Sequence, residues 1–450
     1  MKNHTSFYYK KIDIVVCPCY NNFEIKKIKG VAMSITNSIT KILNIKEKNI
    51  IFDENFVEER NIKNKRCLIF KGYLFNNYDN CPKCECINDN SIIKNGSKTS
   101  LIKIPKVSEL TTYLELKKQV YQCKNCNKKF TAKTGIVNYR CHISNNIKYS
   151  IVKYSENILP HTYIAKNHNV SNMTVQRVLN SLYDKQTLYK HYLPENICID
   201  EFTALKREMA FNICDATNGK TIDLVLGRKV DDLIKYFSYY TEKARNKVKF
   251  VVMDMYKPYL ELIKKTFANA KIIIDMFHIV QLMSRSLNKT RIKVMKQDKE
   301  NYRKYKRYWR LFFKPRFDLD CSKWKKFICF KNLMTEVDVV NYMLNQNKEL
   351  NDTYEVYQSI LYALQRRDYD LFNSIISEDY SNISDYMKTT INTLREFKEH
   401  IKNTLEQPYS NGVMERNNNT CKLIKRVAFG FRNFKNLKSR VLFATNIFRN

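Results

Sequence analysis

Three acidic residues stand where a carboxylate is hard to accommodate. Asp200 interrupts the apolar, strand-like run ICIDEF, Asp254 closes the strand-like run VKFVVMD, and Glu415 follows the loop residues Ser410, Asn411 and Gly412 at the start of a helical pattern. A carboxylate at the end of a buried strand is costly unless it is paired or bound to metal. Neighbouring side chains on a strand point to opposite faces, so Asp200 and Glu201 are not expected to share one metal site. On the helix, Glu415, Asn419, Lys422 and Arg426 fall at steps of four, three and four and share one face. Val413, Thr420, Ile424 and Val427 offer the opposite face for packing. Taken singly, each acid reads as a capping or salt-bridging residue. Two strand acids and a helix acid on one α/β unit are a more specific combination. In-line attack on a phosphodiester calls for two hard divalent ions about 4 Å apart. Such ions want carboxylate oxygens, with phosphate and water completing the shell. Two Mg²⁺ (or Mn²⁺) ions held by Asp200, Asp254 and Glu415 are therefore expected.

A second chemistry is written in cysteine. Cys81-Pro-Lys-Cys84 and Cys123-Lys-Asn-Cys126 are two CxxC knuckles, a spacing that lets both thiolates of each pair meet one ion at tetrahedral angles. Together they make a closed four-thiolate site for one structural Zn²⁺, with strand-like sequence between them. Cys86 is a spare that could replace Cys84 and is read as a non-ligand. Cys17 with Cys19, and Cys141 with His142, have no partner pair and are given no metal.

A third feature runs from His161 to Leu179. Ile164 and Ala165 sit on a first helix, Val170 lies in a turn, and Ser171 is a good N-cap for a second helix. Val175, Val178 and Leu179 give that helix an apolar face, which leaves Asn172, Met173, Thr174 and Arg177 outward. This is the pattern of a helix-turn-helix, whose second helix meets base edges and phosphates. A helical hairpin inside an ordinary core is the competing reading. The neighbouring cysteine knuckles and the charge of the chain favour DNA.

The elements that would position these residues follow from periodicity. NICIDEFTA, REMAFNICD and KTIDLVLGR read as three strands. VDDLIKYFSYYTEKARN reads as one helix, followed by a strand at VKFVVMD, a helix at PYLELIKKTF and a strand at AKIIID. A long, charged helical stretch then runs from Met276 to about Thr404, and Tyr409 to Asn450 is a basic helical pattern with aromatics. The chain of 450 residues carries 79 Lys and Arg against 44 Asp and Glu, a net charge of +35. That balance points to a polyanionic partner, nucleic acid before membrane. No stretch approaches the roughly 18 uninterrupted apolar residues of a spanning helix. The N-terminus lacks the apolar run of a secretory signal. A bacterial-type cytoplasmic, nucleoid-associated protein is expected.

ICIDEF, the Gly227-Arg228 pair, VVMDMYKPY, DMFHIV and SNGVMERNNNTCKLIKRVAFGFRNF resemble insertion-sequence transposases of the ISL3 type. The order of zinc ribbon, helix-turn-helix and catalytic domain matches as well. The resemblance implies a DDE mechanism with Asp200, Asp254 and Glu415 as the triad. It implies an α/β, ribonuclease-H-like core with a mostly helical insertion between the second and third acids. Asp275 and His278 match a family block and are read as site-adjacent, as is Asn419; Asp275 is the best substitute for the second acid. The expected organisation is an N-terminal region of no assigned role (1–75), a zinc ribbon (76–140), a helix-turn-helix (145–190), the first part of the core (195–280), the insertion (281–408) and the remainder of the core (409–450). The expected activity is binding of terminal inverted repeats, then metal-dependent cleavage and transfer of strands to target DNA. A homodimer or larger assembly would hold the two element ends. Lys422, Lys425, Arg426 and Arg432 would join Asn172, Thr174 and Arg177 in holding DNA. Phe429, Phe431 and Phe434 could stack on splayed bases, with core packing expected for at least two of them. The alternatives are a non-catalytic DNA-binding regulator and a structure-specific nuclease or resolvase.

Overall fold

The structure, a computed structural model, describes residues 36–186 and 190–445. The N-terminal stretch read for a secretory signal, Cys17 and Cys19, and the last five residues lie outside the described residues. The chain divides into two compact units, Met1–Tyr154 with His161–Val178, and Ser155–Pro160 with Leu179–Asn450.

The first unit is built on a five-stranded sheet in the order β1-β2-β4-β3, with β5 (Lys129–Thr131) paired to β4. β1 (Ile50–Ile62) and β2 (Lys65–Leu74) form one hairpin, β3 (Ile92–Val107) and β4 (Leu110–Cys123) another, and β2 runs parallel to β4. Both hairpins turn on two residues with positive φ, Lys63 and Asn64 (51° and 60°), then Ser108 and Glu109 (48° and 62°). Two left-handed residues make the turn whose twist matches the flanking strands. β1 and β2 lie in the N-terminal region of no assigned role. They share one core with the cysteine-flanked hairpin, through Phe52, Phe70, Leu74, Leu114 and Leu116. Three helices follow: α1 (Asn145–Ser155), α2 (His161–Asn167) and α3 (Asn172–Gln186). Between α2 and α3, Asn169 takes φ 49°. Its amide donates to Thr111 Oγ1 (3.0 Å) and its carbonyl accepts from Lys103 Nζ (2.6 Å), which ties the turn to the β3–β4 hairpin.

The second unit holds another five-stranded sheet, in the order β10-β9-β6-β7-β8. β6 (Asn196–Leu205), β7 (Glu208–Asp215) and β8 (Thr221–Leu226) form an antiparallel meander, while β9 (Phe250–Met253) and β10 (Lys271–Ile274) run parallel to β6. Parallel neighbours need crossovers. These are supplied by α4 (Val230–Ser238) with α5 (Glu242–Asn246), and by α6 (Lys257–Thr266). The single helix expected at the first crossover is two, because the Thr241 side chain accepts from Ala244 N and caps a fresh N-terminus.

After β10 the chain is helical almost throughout: α7 (Met276–Gln297), α8 (Tyr302–Arg307), α9 (Glu336–Leu344), α10 (Lys348–Arg366), α11 (Tyr369–Ser377), α12 (Asp385–Glu396) and α13 (Lys398–Glu406). A two-stranded ribbon, β11 (Lys325–Lys326) with β12 (Leu333–Met334), interrupts this stretch. One apolar core runs from the sheet into these helices. Thr404 of α13 bonds both the N–H and the carbonyl of Ile274 (2.9 and 2.8 Å), so the outer edge of β10 is covered rather than left open to another strand. α14 (Gly412–Val427) and α15 (Phe434–Thr445) complete the unit. No described helix is long and apolar enough to cross a membrane.

Candidate active site

Strand register brings the acids together. Cys198 of β6 stands opposite Val252 of β9, and Met253 of β9 opposite Ile274 of β10. Continuing the same register sets Asp200 level with Asp254, and Asp254 level with Asp275. Three adjacent parallel strands thus each deliver an aspartate to one edge of the sheet. Asp275 also caps α7, accepting from Phe277 N, and one turn later that helix presents His278. His278 Nδ1 lies 3.1 Å from Asp254 Oδ1 and 3.1 Å from Asp275 Oδ2. Ligand atoms of Asp254, Asp275 and His278 lie within 4.8 Å of one another.

The electrostatics are those of a site with excess negative charge. Burial, then the charge of Asp200, pushes the Asp254 carboxyl up to about 7. Burial also raises Asp200. The hydrogen bond to Asp275 holds His278 above its ordinary value against the effect of burial. The carboxylates define a cleft of about 300 Å³, lined also by Glu201, Arg228, Tyr256 and Tyr259. Asn411 Nδ2 donates to Asp254 Oδ1 (3.2 Å), while Asn411 Oδ1 is buried without a partner. Clustered carboxylates beside an unpartnered amide carbonyl form the oxygen-rich donor set that suits a hard divalent cation.

Glu201 departs from the expectation of strand alternation, since it reaches the same cleft as Asp200. β9 ends at Met253, so past this level that edge of β6 is uncovered and a long side chain can fold round it. There Glu201 accepts from Tyr259 Oη and from Arg228 Nη1 (3.2 Å).

α14 is held across the sheet by buried amides that the sequence analysis passed over. Asn418 Nδ2 donates to Asp200 Oδ2 (2.6 Å), and Asn212 of β7 donates to Asn418 Oδ1 (2.8 Å). Asn417 Nδ2 donates to Thr221 Oγ1 (2.8 Å) and to the Gly219 carbonyl (3.1 Å). Met414 is fully buried against Cys198, Cys214 and Val252. The buried stripe is therefore Asn411, Met414, Asn417, Asn418, Cys421 and Ile424; of the face expected from apolar periodicity, Ile424 belongs to it and Val413 packs beside it, partly buried, while Thr420 and Val427 do not. One signal was available: Asn212 is a lone amide in the apolar strand MAFNIC.

Glu415 sits in the first turn of α14, exposed, in a shallow depression with Arg416 and Asn419. No hydrogen bond or ion pair joins its carboxylate to the aspartates. It stands four residues after Asn411 and three before Asn418, on the flank of the helix whose amides do reach them. Lys422 is exposed, and its charge acts on Asp200. Lys425 Nζ is held by the Thr203 carbonyl, whereas Arg426 and Arg432 are exposed. Phe431 and Phe434 pack beside buried Phe202, and Phe429 is 99% exposed.

In the first unit five cysteine sulfurs converge. Cys81 and Cys126 are 3.9 Å apart, and Cys84 and Cys123 are 3.8 Å apart. Zn–S bonds of about 2.3 Å at tetrahedral angles require S···S edges of about 3.8 Å. Cys81, Cys84, Cys86 and Cys123 offer sulfurs that all lie within 4.8 Å of one another, so the cluster fits a structural zinc ion with Cys86 as well as Cys126 at hand. The amide of Cys126 pulls the Cys123 thiol down to about 6, toward the thiolate a metal needs. Cys86, read as a spare for Cys84 and a non-ligand, is 3.3 Å from Cys84 and 3.5 Å from Cys123, because the chain turns back at Glu85 (φ 60°). Cys141 is exposed outside this cluster.

In α3, Ser171 caps through Thr174 N (3.2 Å), and Val175, Val178 and Leu179 are buried. Asn172 and Arg177 are exposed and Thr174 is half-buried.

A protein of Lactococcus lactis subsp. lactis described as an ATP-dependent protease is 39% identical over 109 residues, 24% of this chain and 35% of that one. The match thus spans about a third of that curated relative. The Drosophila P element transposase strand transfer complex superposes with a TM-score of 0.36 at 10% identity, over 68% of this chain and 92% of that one, a likeness too distant to bear on the fold. The zinc-finger family of transposases IS204/IS1001/IS1096/IS1165 matches residues 78–126, the segment that holds the five cysteines. The DDE transposase family of ISL3 matches residues 197–441, more than half of the sequence, and the chain belongs to that family of transposases.

Proposed function

We propose that the protein cleaves and joins DNA strands at the ends of an insertion sequence, with Asp200, Asp254 and Glu415 holding two Mg²⁺ or Mn²⁺ ions. The observation that carries this reading is the shared level of Asp200, Asp254 and Asp275 on three parallel strands, with α14 docked beside them. Three antiparallel strands extended by two parallel ones, with an acid on the first and fourth, also support a ribonuclease-H-like core. When bound, the ions would activate the attacking oxygen and stabilise the leaving one. The chain's own residues prepare that site. Asn411 and Asn418 orient the Asp254 and Asp200 carboxylates, and His278 holds a proton between Asp254 and Asp275. Arg228 and Lys422 lie where a phosphate backbone would need cations. The zinc ribbon, with α2 and α3 as a helix-turn-helix, would bind the terminal inverted repeats through Asn172, Thr174 and Arg177. Arg426, Arg432 and, once released from Thr203, Lys425 would hold the flanking backbone. Two ends must be held together before transfer, so the working form is a homodimer or larger, in a bacterial-type cytoplasm on the nucleoid.

The test is strand cleavage and joining on a labelled duplex carrying the element end, with Mg²⁺, comparing wild type with Glu415→Gln and Asp275→Asn. Joined product lost in Glu415→Gln with DNA binding intact is the expected result. Loss in Asp275→Asn but not in Glu415→Gln would move the third ligand to Asp275. Binding without cleavage in every protein would leave a DNA-binding regulator.

A further inference from the structure

A cavity of about 690 Å³ lies away from the acids, in the helical stretch between α8 and α9. That volume is within the roughly 300–1,000 Å³ of small-molecule sites. Its floor is aromatic: the rings of Phe330 and Tyr342 meet edge to face at 5.1 Å, with Lys304 Nζ 4.3 Å from the Tyr342 centroid. Lys304 is fixed there by Asn301 Oδ1 (2.7 Å) and Tyr342 Oη (2.9 Å). At the mouth stands Trp324, 63% exposed. Asn341 and Asn345 project one turn apart along α9 into the same space, bringing amide donors and acceptors. The surrounding segment is strongly basic: residues 299–331 contain 12 Lys and Arg against 3 Asp and Glu.

We propose that this cavity receives an unstacked nucleobase from single-stranded DNA, with Trp324 stacking on the base and the neighbouring lysines holding its phosphates. The inference rests on DNA being the partner of this transposase, and it adds a site that the acid-bearing edge does not provide. Each feature of the cavity answers one part of a nucleotide. Aromatic faces accept any base, amides match its edge, and a cationic rim neutralises the backbone.

The experiment measures binding of the full-length, zinc-loaded protein to a fluorescent twelve-nucleotide single strand and to an abasic strand of the same length. Wild type is expected to bind the base-bearing strand roughly tenfold more tightly. Trp324→Ala should abolish that preference while leaving affinity for the abasic strand unchanged. Trp309→Ala, at the chain's other tryptophan and outside the cavity, should keep the preference. Equal affinity for both strands in wild type, or a preference that survives Trp324→Ala, overturns the proposal. In a Trp309→Phe background, quenching of Trp324 by free deoxynucleotides with no preference between strands would also overturn it, giving the pocket to a free nucleotide. These readouts do not depend on cleavage, so a failure of strand joining and a failure of this site are separately visible.

Discussion

The like-charge burden at Asp254 predicts that Asp254→Asn stabilises the metal-free protein at alkaline pH. Asparagine keeps the shape of the side chain, and its oxygen can still accept from His278 Nδ1 and Asn411 Nδ2. What it removes is a charge. The folded-state pKa of Asp254 is raised from 3.8 to about 7. A raised pKa means that its contribution to stability is fully present below the unfolded value and is lost as pH rises through about 7. Some three units at about 1.36 kcal/mol each set a ceiling of about 4 kcal/mol. The carboxylate is 29% exposed, so solvent screening brings the working figure to about 2 kcal/mol. At roughly 2 °C per kcal/mol for a unit of this size, the variant should melt about 4 °C above wild type at pH 8 and by less than half of that at pH 5, where the carboxyl is ionised in the unfolded chain and still protonated in the folded one. The assay is thermal denaturation of zinc-loaded protein in Mg²⁺-free buffer at both pH values, then with added Mg²⁺ or Mn²⁺. The cation should raise the melting temperature of wild type at pH 8 and do little for the variant. A variant equally or less stable than wild type at pH 8 would refute the argument that buried like charges await a cation there.

Wild type should carry one zinc per chain by elemental analysis; Cys123→Ser should lose it with the fold of the first unit, while Cys86→Ser should retain it. Asn418→Leu strips Asp200 and Asn212 of a buried hydrogen-bond partner. It should cost about 2–3 kcal/mol in denaturant unfolding and abolish strand joining with DNA binding preserved. Arg177→Ala should weaken binding to the element end about tenfold and lower the salt slope by about one, as read by anisotropy across a salt titration.

What the sequence made legible, and what it hid, follows from the range of the forces involved. The strands of the second unit could be read because apolar runs such as VKFVVM and KIII are unambiguous when acid closes them. The cysteine knuckles could be read because their chemistry is local. The nearness of Asp275 and His278 to Asp254 is set by the register of β9 against β10, which no local pattern encodes. The Asn417–Asn418 pair was hidden for a different reason. A run of amides on a helix reads as a solvated face, and only the matching Asn212 and Thr221 on the sheet turn it into a buried network. The break between α4 and α5 was hidden because the apolar pattern continues through it, while a Thr241 cap ends it.

The acids are delivered by two different means, and this predicts a variant that should disable Glu415 without touching it. Asp200, Asp254 and Asp275 are fixed by strand register, whereas Glu415 depends on how the first turn of α14 is seated. That turn rests on Gly219, whose φ of +74° already disfavours any other residue. A Cβ built there would lie 2.9 Å from Val413 Cγ1, too close for van der Waals contact. Gly219→Ala must therefore strain the β7–β8 turn or lift Val413, and with it the segment from Asn411 to Glu415. Divalent-cation stabilisation through Asp200 and Asp254 should persist, and binding to the element end should be unchanged. Strand joining should fall at least tenfold. If joining and cation stabilisation instead fall together, the seating of α14 is not separable from the aspartates, and the two-part account of this site is wrong.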